Sequence, residues 1–369
     1  MSNIEELYNL LVAASTAVDQ QIRTPKVDSH IGHDWARGRP KIRRIDEVEN
    51  FEKYMIDDSC DKIGGERWSG YTVNRHVLDV AKEIQSPLEI LESIAAAGYS
   101  FCTSGVISID STYEPVNLGP TNARITRPEV LILGDAIYPH TGYHLDVSPG
   151  TLTDADRRVF TRKFADFNAK SGNKIKQVTI DNGVEFQNIR NEFSSMFPGA
   201  EFQISHFHTD RYIDQMLPLF RQEREVKTVR RIVRSSLHEA LETIGDEQEL
   251  ESVFKNLRIS NAKVCDEQVE KVLDSLQPLC RNLTTYARLK TDVRSTNQVE
   301  SINSVIKTRI DRMHGFKSFE SAKLITNALC SFMLFRYFGR GAKYEGRRPI
   351  DLCFKPQLPG TWMTYCLRV

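Results

Sequence analysis

The sequence predicts an α/β fold: a mixed sheet flanked by helices, followed by a long all-helical stretch. Three observations predict it. Short runs rich in β-branched residues occur at residues 105–110 (GVISID), 129–135 (EVLILGD) and 142–147 (GYHLDV), with no helical pattern between them. Helix and strand patterns then alternate through strands at 174–181 (KIKQVTID) and 201–207 (EFQISHF). From Thr209 to Arg288 the strand signal stops and apolar residues recur at helical spacing. Strands that follow one another directly form an antiparallel meander, and strands joined through helices lie parallel, so the sheet is expected to be mixed.

The elements follow in order. Residues 1–100 read as a mostly helical N-terminal region. It has a helix pattern at 4–18 and a basic loop at 37–44, with Arg37, Arg39, Lys41, Arg43 and Arg44 and no acid among them. Residues 77–97 carry two helical stretches, the second opening at Pro87 with Ser86 as its N-cap. They fit either a helix-turn-helix that reads DNA or a packed helical pair. Residues 101–208 hold the five strands and a helix at 153–169, with Thr153 as N-cap and acids in its first turn. A further helix is expected at 189–196. Residues 209–292 are the all-helical stretch, with helices expected at 211–220, 224–244, 248–257 and 266–279. Residues 293–338 carry two more, at 298–313 and 318–337, and 339–369 read as an irregular tail packed on the body.

Composition narrows the class. The chain has 369 residues, with 40% hydrophobic and 27% charged residues, which fits a globular protein and excludes a disordered tail protein. Lys+Arg and Asp+Glu each number 49, so no whole-molecule positive field favours nucleic acid, and any such binding must use local clusters. Seven scattered cysteines with no CxxC pair read as reduced thiols of a cytoplasmic protein and write no zinc site. The N-terminal segment has no basic n-region, so a signal peptide is not expected. The longest apolar run, 328–338, is short and holds Arg336, so no membrane span is expected.

Two acids, Asp110 and Asp181, end strands predicted to be neighbours. Carboxylates at the C-terminal ends of such strands face a shared crevice and repel one another unless a cation lies between them. Magnesium, a hard cation that takes oxygen ligands, is the natural partner. Glu300, early in the helix after STN, is the candidate third acid. Lys307 lies two turns after it on the same helix face. Arg224, Lys227, Arg231 and Arg234 recur at helical spacing as a basic stripe, and Lys307, Arg309, Arg312 and Lys317 form another cluster. Such stripes are usually solvated; beside a metal site they suit a phosphate backbone. No GxGxxG follows the first strand, so a Rossmann-type enzyme is not indicated.

The second acid lies in DNGVEF (181–186), the first in ISIDST (107–112), and the third in TNQVESINSVIKTRIDRMHGFKSFESA (296–322). In this order they resemble the three acidic motifs of transposases and integrases of the DDE class, over about residues 100–340. FQISHFHTDRYI (202–213) is similar to the CxxH-type motif of Mutator-like and related prokaryotic insertion-sequence transposases, with His208 at the His position and Ser205 in place of the Cys. These families place a helical insertion before the last acid. Here 119 residues separate Asp181 from Glu300 (300 − 181), against 71 between the two Asps (181 − 110).

The resemblance implies a ribonuclease-H-like core. Asp110, Asp181 and Glu300 would hold two Mg²⁺ ions, with Mn²⁺ able to substitute. The activity would be cleavage of double-stranded DNA at transposon ends and strand transfer into target DNA, by a homodimer or larger assembly associated with the nucleoid. The alternative reading leaves His206 and His208 as structural residues at a strand end. Two rival readings are a ribonuclease-H-like nuclease without transposition and a domesticated DNA-binding relative without catalysis.

Overall fold

The structure is a computed structural model, and it describes residues 44–56, 60–64, 70–113, 116–117, 125–126, 129–138, 142–147, 153–181, 194–220, 222–312 and 318–367. The expected helix at 4–18 and the loop residues Arg37, Arg39, Lys41 and Arg43 lie outside these, as do most of the expected helix at 189–196 and residues 182–186 of the DNGVEF motif.

The chain forms a mixed five-stranded sheet flanked by helices. We label its strands β1 (Val106–Tyr113), β2 (Glu129–Asp135), β3 (Gly142–Val147), β4 (Gln177–Ile180) and β5 (Glu201–Ile204). Their order across the sheet is β3-β2-β1-β4-β5. The meander β1–β2–β3 is antiparallel, whereas β1–β4 and β4–β5 are parallel, as the connections predict. The central strands are buried, with Ile107, Ile109, Val130–Leu133, Val178, Ile180 and Ile204 at the heart of the core. This arrangement is consistent with a ribonuclease-H-like sheet.

Before the sheet the described residues form α1 (Arg44–Ile56), a short helical turn at Cys60–Gly64, α2 (Gly70–Glu83) and α3 (Pro87–Ala96). Ser86 caps α3 ahead of Pro87, as expected, and the structure adds a capping box with Glu89. Their apolar faces are buried at Phe51, Val73, Val77, Val80, Ile90, Leu91 and Ile94, and Phe51 packs on Phe332 and Trp362 near the other end of the chain. The two ends also meet where Ser100–Phe101 pairs with Phe354–Lys355. The tail is therefore integral to the core, with Ile350, Cys353, Trp362 and Cys366 buried.

Helix α4 (Asp154–Lys170) starts at the Thr153–Asp156 capping box and is tied to β2 by a buried pair, Arg157 to Glu129. The expected helical stretch contains α5 (His206–Met216), α6 (Arg224–Thr243), α7 (Glu247–Asn261) and α8 (Glu267–Leu276). It then returns to the sheet through short helical turns, and α9 (Asn297–Arg312) and α10 (Phe319–Met333) follow. Among the described residues no helix is long and apolar enough to cross a membrane, and Cys102, Cys265, Cys280, Cys330, Cys353 and Cys366 are free thiols.

Two of the boundaries that differ from the sequence reading bear on the acids and on His208. Strand β1 does not end at Asp110; it runs on to Tyr113 because β2 continues to pair with it. Strand β5 ends at Ile204, not at residue 207, and α5 begins at His206. Its parallel partner β4 stops at Ile180, so β5 has no ladder beyond Ile204. The next amides bond elsewhere, Ser205 to the Ile180 carbonyl and His206 to the Arg294 carbonyl. Three residues of apparent strand thereby become the opening of a helix.

Candidate active site

Register brings the first two acids together. In the parallel ladder Ile109 pairs with Ile180, so Asp110 and Asp181 are the next residue on each strand and leave the ladder side by side. Glu300 arrives from α9, whose buried residues Val299, Ile302, Asn303 and Ile306 form one face laid across β1 and β2.

The long return from the helical stretch is anchored by two buried glutamines. Gln203 of β5 donates to the Leu283 carbonyl at 3.1 Å and accepts from the Tyr286 amide at 2.8 Å. Gln177 of β4 donates to the Val293 carbonyl at 2.8 Å and accepts from the Thr291 hydroxyl at 2.5 Å. These bonds satisfy edge groups of both elements and set where α9 starts.

The residue at the centre is His208, on the first turn of α5. Its Nδ1 lies 3.2 Å from Asp181 Oδ2 and its Nε2 3.2 Å from Glu300 Oε1. The Nε2 contact is an ionic approach misaligned for hydrogen bonding, which leaves that buried nitrogen without a hydrogen bond. Asp110, His208 and Glu300 offer ligand atoms that all lie within 4.8 Å of one another. Asp110 is buried and accepts a 2.9 Å hydrogen bond from Asn303 Nδ2. Thr296, just before α9, donates to Glu300 Oε1 at 2.6 Å, and its hydroxyl is 3.4 Å from that of Ser205.

The electrostatics follow from burial and mutual charge. Burial pushes the Asp110 carboxyl up to about 6, against a partial offset from the His208 charge, and the Glu300 and Asp181 charges add to the rise. Burial also disfavours charge on His208, but the close Glu300 and the Asp181 and Asp110 charges prevail and raise its pKa. Glu300 is held below the usual range: burial raises it, and the contacts with His208 and Thr296 outweigh that. An imidazole whose protonated form these charges favour thus stands among three acids, where a cation would reduce their repulsion. The donor set of carboxylates and an imidazole fits a divalent metal, and the buried Asn303 Oδ1 beside Asp110 lacks a hydrogen-bond partner that an ordered metal-bound water could supply.

Asp135 supplies the contrast. It ends β2 and, like Asp110, is buried, yet it accepts from the Ser104 amide and hydroxyl and from the Ile137 and Tyr138 amides. Its capacity is used by a turn, whereas Asp110 faces other acids.

The raised Asp110 pKa has a consequence for stability. A carboxyl raised in the folded state contributes fully below its unfolded pKa of 3.8, and that contribution is lost as pH rises through about 6. The metal-free chain therefore carries a cost at neutral pH, at most about 3 kcal/mol for a rise from 3.8 to about 6. Asp110→Asn is expected to raise the melting temperature of the metal-free protein at about pH 7.5, with the gain shrinking towards about pH 4. Equal melting of the two proteins at both pH values would contradict this.

Other candidates from the sequence fall out differently. Arg224, Lys227 and Arg231 are exposed on α6. Arg234, on the same stripe, is ion-paired with Asp214 of α5. Arg230, at the edge of the stripe, is buried against Asp266 at 2.5 Å and ties α6 to the start of α8. Lys307 is exposed on α9; Arg309 and Arg312 lie on the same helix and Arg44 begins α1, with their side chains outside the described residues. His206 is structural: its ring is buried, with Nε2 2.7 Å from the Leu283 carbonyl, and burial lowers its pKa. Ser205 precedes α5 without a side-chain capping bond. Sequence reasoning placed His208 at a strand end; the signal for its true position was the Ser205–His206 break, which reads as a helix start.

No family model matches the chain, and no curated protein matches it. Among solved structures it is similar to the Drosophila P element transposase strand transfer complex, with 10% sequence identity, 85% of each chain covered and a TM-score of 0.31. At that score the likeness carries no weight for fold or function.

Proposed function

We propose that this chain is a transposase of the Asp-Asp-Glu class, with a ribonuclease-H-like core and a helical insertion at 209–292, that cleaves DNA at transposon ends and joins those ends to target DNA. The observation that carries the reading is the meeting of Asp110 and Asp181, from adjacent parallel strands, with Glu300, delivered by a helix 119 residues later (300 − 181), around the one imidazole of His208. A fold that only needed packing would not gather three acids around one partly buried imidazole, because each further acid adds repulsion.

Asp110, Asp181 and Glu300 would hold two Mg²⁺ ions, or Mn²⁺ in their place. Bound there, divalent ions supply activation of a water or 3′-hydroxyl and stabilisation of the leaving oxygen in an in-line displacement at phosphorus. The chain's own residues do the rest. Asn303 and Thr296 orient Asp110 and Glu300 through hydrogen bonds. His208 takes up or releases a proton as the charge in the cluster changes. The exposed Arg224, Lys227 and Arg231 on α6, with Lys307 on α9, supply phosphate contacts, as do the basic residues of the 37–44 loop.

The test is direct. The full chain, incubated with supercoiled plasmid carrying the ends of its own element, is expected to nick and join DNA with Mg²⁺ or Mn²⁺ and not with EDTA. Nicking without joining would leave a nuclease. No metal-dependent cleavage of any DNA offered, at any pH between about 6 and 9, would reject the enzyme reading.

A further inference from the structure

The segment that joins α10 to the buried tail is a closed loop on a fixed stem. At its foot the Ile350 amide donates to the Leu334 carbonyl at 2.9 Å. Higher up, the Phe338 amide donates to the Arg347 carbonyl at 2.8 Å and the Gly346 amide to the Phe338 carbonyl at 3.3 Å. Gly341 and Gly346 have φ of 80° and 71°, a left-handed backbone that other residues adopt only with strain. Below the loop, Arg348 is buried, pairs with Asp351 at 2.7 Å and donates to the Leu358 and Gly360 carbonyls. The Phe335 ring stacks on that of Tyr365 at 5.6 Å.

This scaffold presents charge. Arg336, Arg340, Lys343 and Arg347 are all exposed, and among the described residues none of them forms an ion pair. The loop holds one acid, Glu345, and its carboxylate accepts from the Gly341 amide at 2.7 Å. A solvated basic run needs no scaffold. Here the backbone is ordered beforehand, so a ligand that meets these cations pays little of the cost of ordering them.

The surroundings carry the same sign. Burial and the Asp135 charge raise the Tyr138 pKa, and Tyr344 of the loop adds to the rise, which places the loop beside the turn after β2. That turn lies where β1 and β4 begin, because Asp135 pairs with Ile107 and Val106 with Gln177. The exposed Lys174 and Lys176 lead into β4 there. Asp110 and Asp181 leave the ladder at its other end. A protein partner would call for an apolar centre in the patch. Between Gly339 and Arg347 the exposed residues are cations, glycines, Ala342 and Glu345, a surface that suits close approach to phosphates.

We propose that the 336–347 loop is a DNA-binding surface of its own, which holds a duplex by its phosphates, without reading sequence, at the end of the sheet opposite the acid cluster. It does not depend on that cluster being catalytic.

The test is fluorescence anisotropy of the full chain in EDTA, with a labelled random-sequence duplex of roughly 20 base pairs as the probe. The variant Arg340→Gln/Lys343→Gln/Arg347→Gln is expected to bind roughly tenfold more weakly at about 0.1 M salt, and its log–log salt slope should fall by about 2–3. A control that removes the same charge from α7 and α8, Lys255→Gln/Lys263→Gln/Lys271→Gln, should keep the wild-type slope. Thermal melting followed by circular dichroism checks that both variants fold, and the loop cations have no ion pair to lose. The proposal is overturned if the wild type does not bind the duplex, if the loop variant binds within about twofold of wild type, or if the control lowers the slope as much. Polyglutamate binding that falls as far as duplex binding would make the loop a surface for acidic proteins and overturn it too. Nicking of end-containing plasmid by the wild type reports on the acid cluster separately. Loop-dependent binding without nicking keeps this surface and rejects the catalytic reading; nicking with loop-independent binding does the reverse.

Discussion

Asp110→Asn, Asp181→Asn and Glu300→Gln are each expected to lower metal-dependent nicking by roughly a thousandfold or more while leaving binding to end-containing DNA within about twofold. Each substitution keeps the side chain's shape and removes one unit of negative charge. Asp110 and Asp181 leave one parallel ladder together and Glu300 meets them through His208, so the three act as one charge cluster. Residues that act as a unit are strongly non-additive, so the double variant Asp110→Asn/Asp181→Asn should be no more defective than either single variant. Plasmid relaxation on agarose gels measures the rate, and a gel shift in EDTA measures binding. Nicking at wild-type rate by any one of the three removes that residue from the site. Combined with its stability effect, the Asp110→Asn protein should be both better folded without metal and inactive, because the charge that the fold tolerates poorly is the one the proposed chemistry requires.

Breaking the pair between Glu129 and Arg157 should give the largest stability effect outside that cluster. Both side chains are almost fully buried, at 0% and 3% exposure, and the guanidinium donates to both carboxylate oxygens at 2.7–3.2 Å. Removing one partner leaves a charge in a low-dielectric interior, and Glu129→Gln or Arg157→Met is expected to cost about 3–5 kcal/mol. Replacing both with apolar residues of similar volume should recover most of that, because the surviving partner is no longer stranded. Urea unfolding followed by circular dichroism decides it. Single variants within about 1 kcal/mol of wild type would show that water reaches the pair.

How much was legible depended on the kind of signal. Strand runs and capping sequences are local, so Ser86 before Pro87 and Thr153 before an acidic first turn announced α3 and α4, and the meander followed from three strands with no helix between them. The basic stripe of α6 was equally visible as a pattern. Its division of labour was not: Arg230 is buried on Asp266 and Arg234 pairs with Asp214, while Arg224, Lys227 and Arg231 stay exposed. Helical periodicity says which residues share a face and nothing about what packs against it.

What the sequence determined by itself was the α/β class, the mixed sheet with its long helical stretch, and Asp110, Asp181 and Glu300 as residues to follow. Each depends on interactions between near neighbours or on strand register. The tertiary structure decided that His208 stands among those acids. It did so by ending β5 at Ile204, where β4 offers no further pairing, and by turning Ser205–His208 into the start of α5. A four-residue strand and a helix start are separated by backbone hydrogen bonds to Ile180 and Arg294, and Arg294 lies far along the chain. Such bonds exist only once the core has closed, so the local helix-start signal at Ser205–His206 could mark the helix but not bring that histidine among the acids.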